Sequence, residues 1–186
     1  MIYRKKTLVG NMEIEVVWFK KDLRVRDHLP LVNASKGSSP ILCLFIIEPE
    51  RFNLPDFDPI HIEWEIDCAK ELAKSLEKLG GSLHFEIGKP IDIFERINST
   101  YEISRIHSHQ ETGNSWSFQR DIDVSDWCKA SAIEWIEYPS NGVIRNLDDR
   151  DNWKKQRDAR MRETNIEPPL IKNSVLFEGS EPEMSE

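Results

Sequence analysis

The stretch IEVVWFKKDLRVRDH, residues 14–28, joins a short apolar run to a loop crowded with charges. Residues 14–19 have the length and the β-branched and aromatic content of a buried strand. The polar residues 20–28 predict a loop at the carboxyl end of that strand, which is where α/β proteins place their functional groups. We therefore interpret this stretch as the first strand of an α/β domain and the start of its crossover connection.

Four further runs of similar length follow along the chain. Residues 41–47 read ILCLFII, which is typical of a parallel strand that is covered on both faces. The predicted strands are residues 14–19, 41–47, 83–87, 103–108 and 133–138, and the predicted helices between them are residues 29–36, 60–79, 90–97 and 114–130. Because parallel neighbours need crossover connections, the alternation predicts an α/β fold. We expect a doubly wound, Rossmann-like sheet of five parallel strands in the order 3-2-1-4-5, with helices on both faces.

Local signals mark where the helices begin and end. The longest amphipathic pattern, residues 60–79, stops at Gly80-Gly81, a pair typical of a helix C-terminus. Pro90 suits the first turn of the third helix, and Asn114 or Ser115 can cap the fourth.

The length of 186 residues and a hydrophobic content of 39% predict one globular domain with short tails. We expect residues 1–12 to be a disordered leader and residues 13–140 to form the α/β domain. Residues 141–186 are expected to be a polar linker with a helix near residues 148–161. Beyond Pro168 the sequence carries little signal for ordered structure.

Composition also excludes several classes of function. The formal net charge of -8 opposes contact with phosphate backbones, so strong DNA binding by this chain is not expected. No stretch approaches the roughly 20 apolar residues that a membrane helix needs. The three cysteines have no zinc-like spacing and are interpreted as buried residues in a reducing compartment, so we expect a cytoplasmic protein.

The loops after strands one and four are the places where a ligand is expected, since strand order reverses between them. Residues 20–27 and 109–114 are both rich in polar groups. Mutually paired charges would explain the first loop as well as a binding site would. Neither a GxGxxG dinucleotide motif nor a P-loop is present, which argues against a standard nucleotide site.

Two further patterns have both structural and functional interpretations. His107 and His109 lie on one face of the fourth strand, as in metal sites, but no third ligand is evident, so we predict no metal. Arg120 falls on the apolar stripe of the fourth helix and needs buried acceptors, for which Glu111 and Asp121 are candidates. A structural ion pair is the simpler interpretation of Arg120. No catalytic nucleophile arrangement is visible.

The segment VVWFKKDLRVRDH, residues 16–28, closely resembles the opening WFRRDLRxxDN of photolyases and cryptochromes. Further matches are ILCLFIIEP, Gly88-Lys89-Pro90, and Glu111-Thr112-Gly113-Asn114 with Arg120-Asp121. Lys20 and Lys21 stand where that family usually has Arg, and His28 stands where it usually has Asn. The resemblance covers about residues 13–150 and identifies the chain as similar to the N-terminal α/β, antenna-binding domain of the family.

The resemblance implies a flavoprotein in which this domain precedes a helical domain that binds FAD. Light-driven electron transfer there repairs pyrimidine dimers, the deoxyribodipyrimidine photo-lyase reaction, or starts signalling. The first domain often holds an antenna: a folate, a deazaflavin or a flavin such as FMN. We expect this chain alone to be inactive and to act as an antenna or scaffold module, with the FAD domain as its partner in cis. The alternatives are a free-standing photosensory or binding module that docks on a separate flavin-binding helical protein, and an unrelated nucleotide-binding α/β protein.

The site predicted for an antenna is the crevice between the loops after strands one and four. Its expected rim is Phe19, Lys20, Asp22, Arg24, Glu48, His109, Glu111 and Asn114. Phe19 would supply an aromatic wall, and the carboxylates and amide would bind ring polar atoms. The alternative is a crevice that is closed by ion pairs among Asp22, Arg24 and Glu111.

Overall fold

A computed structural model describes residues 12–145 and 149–177. Within them the chain forms one five-stranded sheet in which every neighbouring pair is parallel. The strand order is β3-β2-β1-β4-β5, which confirms the predicted topology. The strands are β1 Glu13–Phe19, β2 Ile41–Ile47, β3 Leu83–Ile87, β4 Glu102–His109 and β5 Glu134–Tyr138. Most of the predicted leader, residues 1–11, and the last nine residues of the predicted linker, 178–186, lie outside the described part.

The two central strands explain why this order is stable. Six of the seven residues in β1 and six of the seven in β2 are buried, because helices cover both faces of the sheet. One apolar core is centred on Trp18 and Phe94, and the other on Phe19 and Leu72. The continuous apolar run at residues 41–47 is thus the signature of a strand with no solvent-facing side.

The described residues form five helices: α1 Leu29–Ala34, α2 Pro59–Lys78, α3 Pro90–Thr100, α4 Ser115–Ala130 and α5 Trp153–Arg160. Short 3-10 turns occupy Pro49–Asn53 and Arg150–Asn152. Asn114 caps α4 by accepting the N–H of Ser117, as one of the two predicted caps. The first helix is two residues shorter than predicted, and α5 lies inside the range expected for the linker helix.

The segment after α5 differs from the expectation of little order. Ile171 and Phe177 are buried, one in each core. The N–H of Ile171 donates to the carbonyl of Leu79, and Ile41 exchanges backbone hydrogen bonds with the same segment. Gly80, at φ +87°, leaves room for this crossing, because a Cβ there would lie 2.7 Å from the carbonyl oxygen of Ile171. The residues expected to form a polar linker therefore complete the fold.

Among the helices in the described ranges, none is both long and apolar enough to cross a lipid bilayer.

Candidate functional site

Asp22 organises the loop that follows β1. Its Oδ1 accepts the backbone N–H of Lys20 at 2.9 Å, so the carboxylate turns back toward the end of the strand. Its Oδ2 lies 2.7 Å from Nε2 of His28 and 2.6 Å from Nδ1 of His109. The loop after β1, the start of α1 and the end of β4 therefore meet at one buried carboxylate.

Hydrogen bonds fix the protonation of this cluster. Nδ1 of His28 accepts the N–H of Leu31, so its Nε2 carries the proton that is donated to Asp22. Burial alone would raise the pKa of Asp22, but the N–H groups of His109 and His28 outweigh burial and hold it well below its usual range. Burial lowers the pKa of His28, which is fully enclosed.

Asp22, His28 and His109 have the composition of a metal site, with ligand atoms within 4.8 Å of one another. A metal on Nε2 of His28 would need the proton on Nδ1, where the N–H of Leu31 already points. The cluster therefore suits hydrogen bonding better than metal binding. His107, the other member of the predicted pair, lies apart from it and bonds to Glu15 and Tyr138. The absence of a metal stays a prediction.

Arg120 is the centre of a buried ion-pair network beside this loop. Its guanidinium contacts Glu48 at 2.5 Å, Glu111 at 2.5 Å and Asp121 at 3.0 Å. Burial opposes its charge, but the three carboxylates together hold the pKa of Arg120 above its ordinary value. Both acceptors named from the sequence, Glu111 and Asp121, are present. Glu48 is the third, and it belongs to the predicted rim.

Glu48 is the least well compensated member of the network. Its Oε1 pairs with Arg120, whereas its Oε2 is buried without a hydrogen-bond partner among the described residues. Burial raises the pKa of Glu48 to about 7 despite the adjacent guanidinium. The pKa of Glu111 shifts in the opposite direction. Burial would raise it, but the positive charges of Arg120, Lys20 and Lys21 outweigh burial and lower it.

Lys20 fills the space between the network and the sheet. Its side chain is 4% exposed and its Nζ lies 3.4 Å from Asp121. The same Nζ stands over the rings of Trp18 and Trp135, at 5.0 and 5.5 Å from their centroids. Burial lowers the pKa of Lys20, with Asp121 acting in the opposite direction. Lys20 is thus held as part of the packing rather than extended toward solvent.

The predicted rim divides between two small cavities. Lys20, Glu48, Glu111 and Asn114 line one of about 30 Å³, together with Arg120 and Trp116. The other, of about 200 Å³, is lined by Lys20, Asp22, Arg24, His109 and Glu111. The structure therefore brings seven of the eight predicted residues together at the carboxyl edge of the sheet.

Phe19 is the exception, because it faces the core. It is fully buried and its ring stacks on that of His28 at 4.6 Å. Trp116 is the half-buried aromatic residue at this crevice, and its ring centroid lies 5.6 Å from the Arg120 guanidinium. Trp116 also borders a neighbouring cavity of about 380 Å³ that Glu48 and Arg120 share. Sequence reasoning missed Trp116, although its position four residues before Arg120 places both on one helix face.

Comparison with known proteins agrees with this fold. The family model described as DNA photolyase matches residues 15–158, well over half of the chain. The chain is 30% identical over 139 residues to a chloroplastic/mitochondrial cryptochrome DASH of Solanum lycopersicum, covering 72% of this chain and 23% of that protein. It is 28% identical over 128 residues to a (6-4)DNA photolyase of Arabidopsis thaliana, covering 64% and 23%. The chain thus spans about a quarter of the length of these relatives.

Solved structures show the same fold at lower identity. A cryptochrome of Synechocystis superposes with a TM-score of 0.72 at 19% identity, over 87% of this chain and 37% of that one. A bacterial class III photolyase of Agrobacterium tumefaciens gives 0.72 at 18% identity, over 94% and 38%. An archaeal photolyase of Sulfolobus tokodaii, described with two FAD molecules, gives 0.67 at 21% identity, over 88% and 38%.

Proposed function

This chain belongs to the DNA photolyase family, and we propose that it serves as the antenna or scaffold domain of a light-dependent DNA-repair or photosensory protein. The observation that carries the proposal is the carboxyl edge of the sheet. There seven predicted polar residues line two adjoining cavities, one of them bordered by Trp116, at the point where strand order reverses. Such a crevice is the usual ligand site of an open α/β sheet.

The filling of the crevice supports the scaffold role for the isolated chain. The two cavities that most of the predicted rim lines, about 30 and 200 Å³, are smaller than the roughly 300–1,000 Å³ typical of small-molecule pockets, whereas the neighbouring cavity of about 380 Å³ is bordered by Glu48 alone of that rim. The ion pairs of Arg120 with Glu48 and Glu111 occupy the space between them. We propose that an antenna, whether a folate, a deazaflavin or FMN, binds here only when part of this network moves or a second domain completes the walls.

The partner proposed for this edge is a helical FAD-binding domain. The curated relatives are about four times longer than the matched region, which supports a partner in the same chain over a separate protein. FAD would reside in that domain and supply the light-driven electron transfer. We propose that the residues of the present chain hold the architecture and, where an antenna is retained, orient its ring.

Titration with folate, 5-deazaflavin and FMN tests the antenna role, with fluorescence of the chromophore as the readout. Saturable binding that is lost in Glu111→Ala would place the ring at the crevice. Glu50→Ala is the matched control, since it removes an equal charge from a carboxylate that pairs with Lys89 outside the crevice. Binding that is indifferent to Glu111→Ala removes the crevice as the antenna site, and absence of binding by all three leaves the scaffold role alone.

A further inference from the structure

A further cavity of about 300 Å³ is bordered by His109, and we name it the β5-side pocket. It is enclosed by the turn before α1, the end of β4, the turn after β5, and the end of α5 with the segment that follows it. Its lining includes Arg24, Asp27, His109, Arg160, Glu163 and Thr164. The N–H of Asp27 donates to the carbonyl of Ile166 at 2.8 Å, which ties the segment after α5 to the turn before α1.

Two arginines in this pocket are held by carbonyl groups instead of carboxylates. Nη2 of Arg24 donates to the carbonyl of Asp27 at 3.0 Å. Nη1 of Arg160 donates to the carbonyls of Asn141 and Val143 at 2.9 and 2.8 Å. Each guanidinium is therefore oriented by one nitrogen, and its other nitrogens have no protein acceptor within the described ranges. A planar donor fixed in this way is suited to binding an oxyanion.

The contrast with the other arginines is informative. Those at positions 26, 51, 96, 105, 120, 145 and 157 lie within 4.0 Å of a carboxylate. In residues 12–145 and 149–177, no carboxylate oxygen comes that close to Arg24, Arg160 or the exposed Arg162. Among the arginine side chains that the structure describes, Arg24 and Arg160 are thus the half-buried ones without a carboxylate partner, and both border this pocket.

His109 adds a third polar group, and its hydrogen bond to Asp22 fixes which ring nitrogen carries the proton. Its Nδ1–H donates to Asp22, so in the neutral ring Nε2 is an acceptor. Nε2 has no hydrogen-bond partner among the described residues, and the ring borders the cavity. Nε2 can therefore accept a hydrogen bond from the P–OH of a phosphate monoanion. The neutral imidazole thus complements the protonated oxygen of that ion.

Two carboxylates also border the pocket, and they limit the net charge. Asp27 and Glu163 are both exposed, whereas Arg24 and Arg160 are half-buried. Interactions of exposed charges are weakened by water and salt more than those of partly buried ones. The side chains of Thr164 and Asn165, also at the border, supply neutral donors. The balance favours a small anion over an extended polyanion such as duplex DNA.

We propose that the β5-side pocket binds a phosphate monoester, with Arg24, Arg160 and His109 as its contacts. A phosphate monoester presents three terminal oxygens around a tetrahedral centre, so two guanidiniums and an imidazole from three walls can reach it together. A carboxylate offers only two oxygens in one plane. The pocket adjoins the crevice proposed for an antenna and shares Arg24 and His109 with it, whereas Arg160 borders the pocket alone, and neither Glu48, Glu111 nor Arg120 contributes to it.

Titration of the 186-residue chain with inorganic phosphate and with ribose 5-phosphate tests this site by calorimetry. Saturable binding below about 10 mM is expected, with Arg24→Gln and Arg160→Gln each weakening it about tenfold, the loss of one charge-assisted hydrogen bond. Arg162→Gln is the matched control, since Arg162 is exposed and borders no part of the pocket. If only ribose 5-phosphate binds, the site takes a phosphorylated sugar; if both bind equally, it reads the phosphate group.

The proposal is overturned if neither phosphate saturates, if Arg162→Gln weakens binding as much as Arg160→Gln, or if a phosphate-bearing oligonucleotide alone binds. Far-ultraviolet circular dichroism establishes that each variant is folded. Should an arginine variant fail to fold, the wild-type chain still gives an answer. Phosphate must shift the Nε2 resonance of His109 in a nitrogen-detected NMR spectrum while leaving that of His84 in place, and an unmoved His109 resonance refutes the site.

Discussion

Glu48→Gln should make the free energy of unfolding less dependent on pH. Glu48 is 6% exposed, and its pKa rises from 4.5 to about 7 in the folded chain because burial penalises its charge. A carboxyl whose folded pKa is raised contributes stability that is fully present below the unfolded value, and that stability is lost as pH rises through about 7. Each pKa unit corresponds to about 1.4 kcal/mol, so the loss between pH 4.5 and pH 8 is about 3 kcal/mol.

Glutamine keeps a carbonyl oxygen for the Nη1 donor of Arg120 and cannot ionise. We therefore expect Glu48→Gln to gain about 2.5 kcal/mol relative to the wild type as pH rises from 5 to 8, whatever its effect at pH 5. Urea unfolding followed by tryptophan fluorescence measures both chains at the two values. Glu50→Gln is the control and should show no such gain, since Glu50 lies two residues further along the chain but is exposed and paired with Lys89.

A different result would refute this account of the network. If the free energies of unfolding of Glu48→Gln and the wild type differ by the same amount at pH 5 and pH 8, the pKa of Glu48 is not raised by burial. If the variant instead becomes less stable relative to the wild type as pH rises from 5 to 8, Arg120 compensates the carboxylate fully, and the unpartnered Oε2 carries no cost.

Three further outcomes are expected. Asp22→Asn should lower the free energy of unfolding by about 2 kcal/mol or more, since the side-chain NH₂ group would face two imidazole N–H donors. Urea unfolding measures the loss, and a value below about 0.5 kcal/mol contradicts the prediction. Ile171→Ala should cost about 2–4 kcal/mol in the same assay because its side chain is 4% exposed, whereas a neutral result would mean that this segment does not complete the fold. Burial lowers the pKa of His107, so the stability that the neutral ring contributes is present above about pH 6.5 and is lost as pH falls. His107→Gln should therefore lose less stability than the wild type between pH 7 and pH 5. The same dependence of the unfolding free energy on pH in both chains would argue against this role.

The sheet could be predicted because its signal is local. Residues 14–19 and 41–47 are apolar runs of strand length, and the rules against crossing connections leave few orders for five parallel strands. The orientation of Phe19 could not be predicted in the same way. In a strand buried on both faces, both alternating sets of side chains are apolar, so the pattern does not say which layer a ring enters.

The candidate site was only partly predictable, since its contacts join distant residues. The reversal of strand order pointed to the loops that hold Asp22 and His109, but the hydrogen bond between these residues spans 87 positions and the same carboxylate also binds His28, which no spacing reveals. Ile171 and Phe177 are isolated apolar residues in a polar stretch without a period. They are buried because the sheet edge and Gly80 leave space for that segment, a property of the tertiary structure alone.

Illumination of this chain with a DNA duplex that contains a pyrimidine dimer tests the central claim most directly. The account holds that the α/β domain supplies architecture and, at most, an antenna, while repair chemistry needs a flavin domain. With free FAD and a reductant present, we expect no loss of dimers beyond the dark control, and no duplex binding at micromolar protein, since a chain of net charge -8 repels the phosphate backbone. A complete photolyase in the same buffer serves as the positive control. Light-dependent reversal by the 186-residue chain alone would contradict the account.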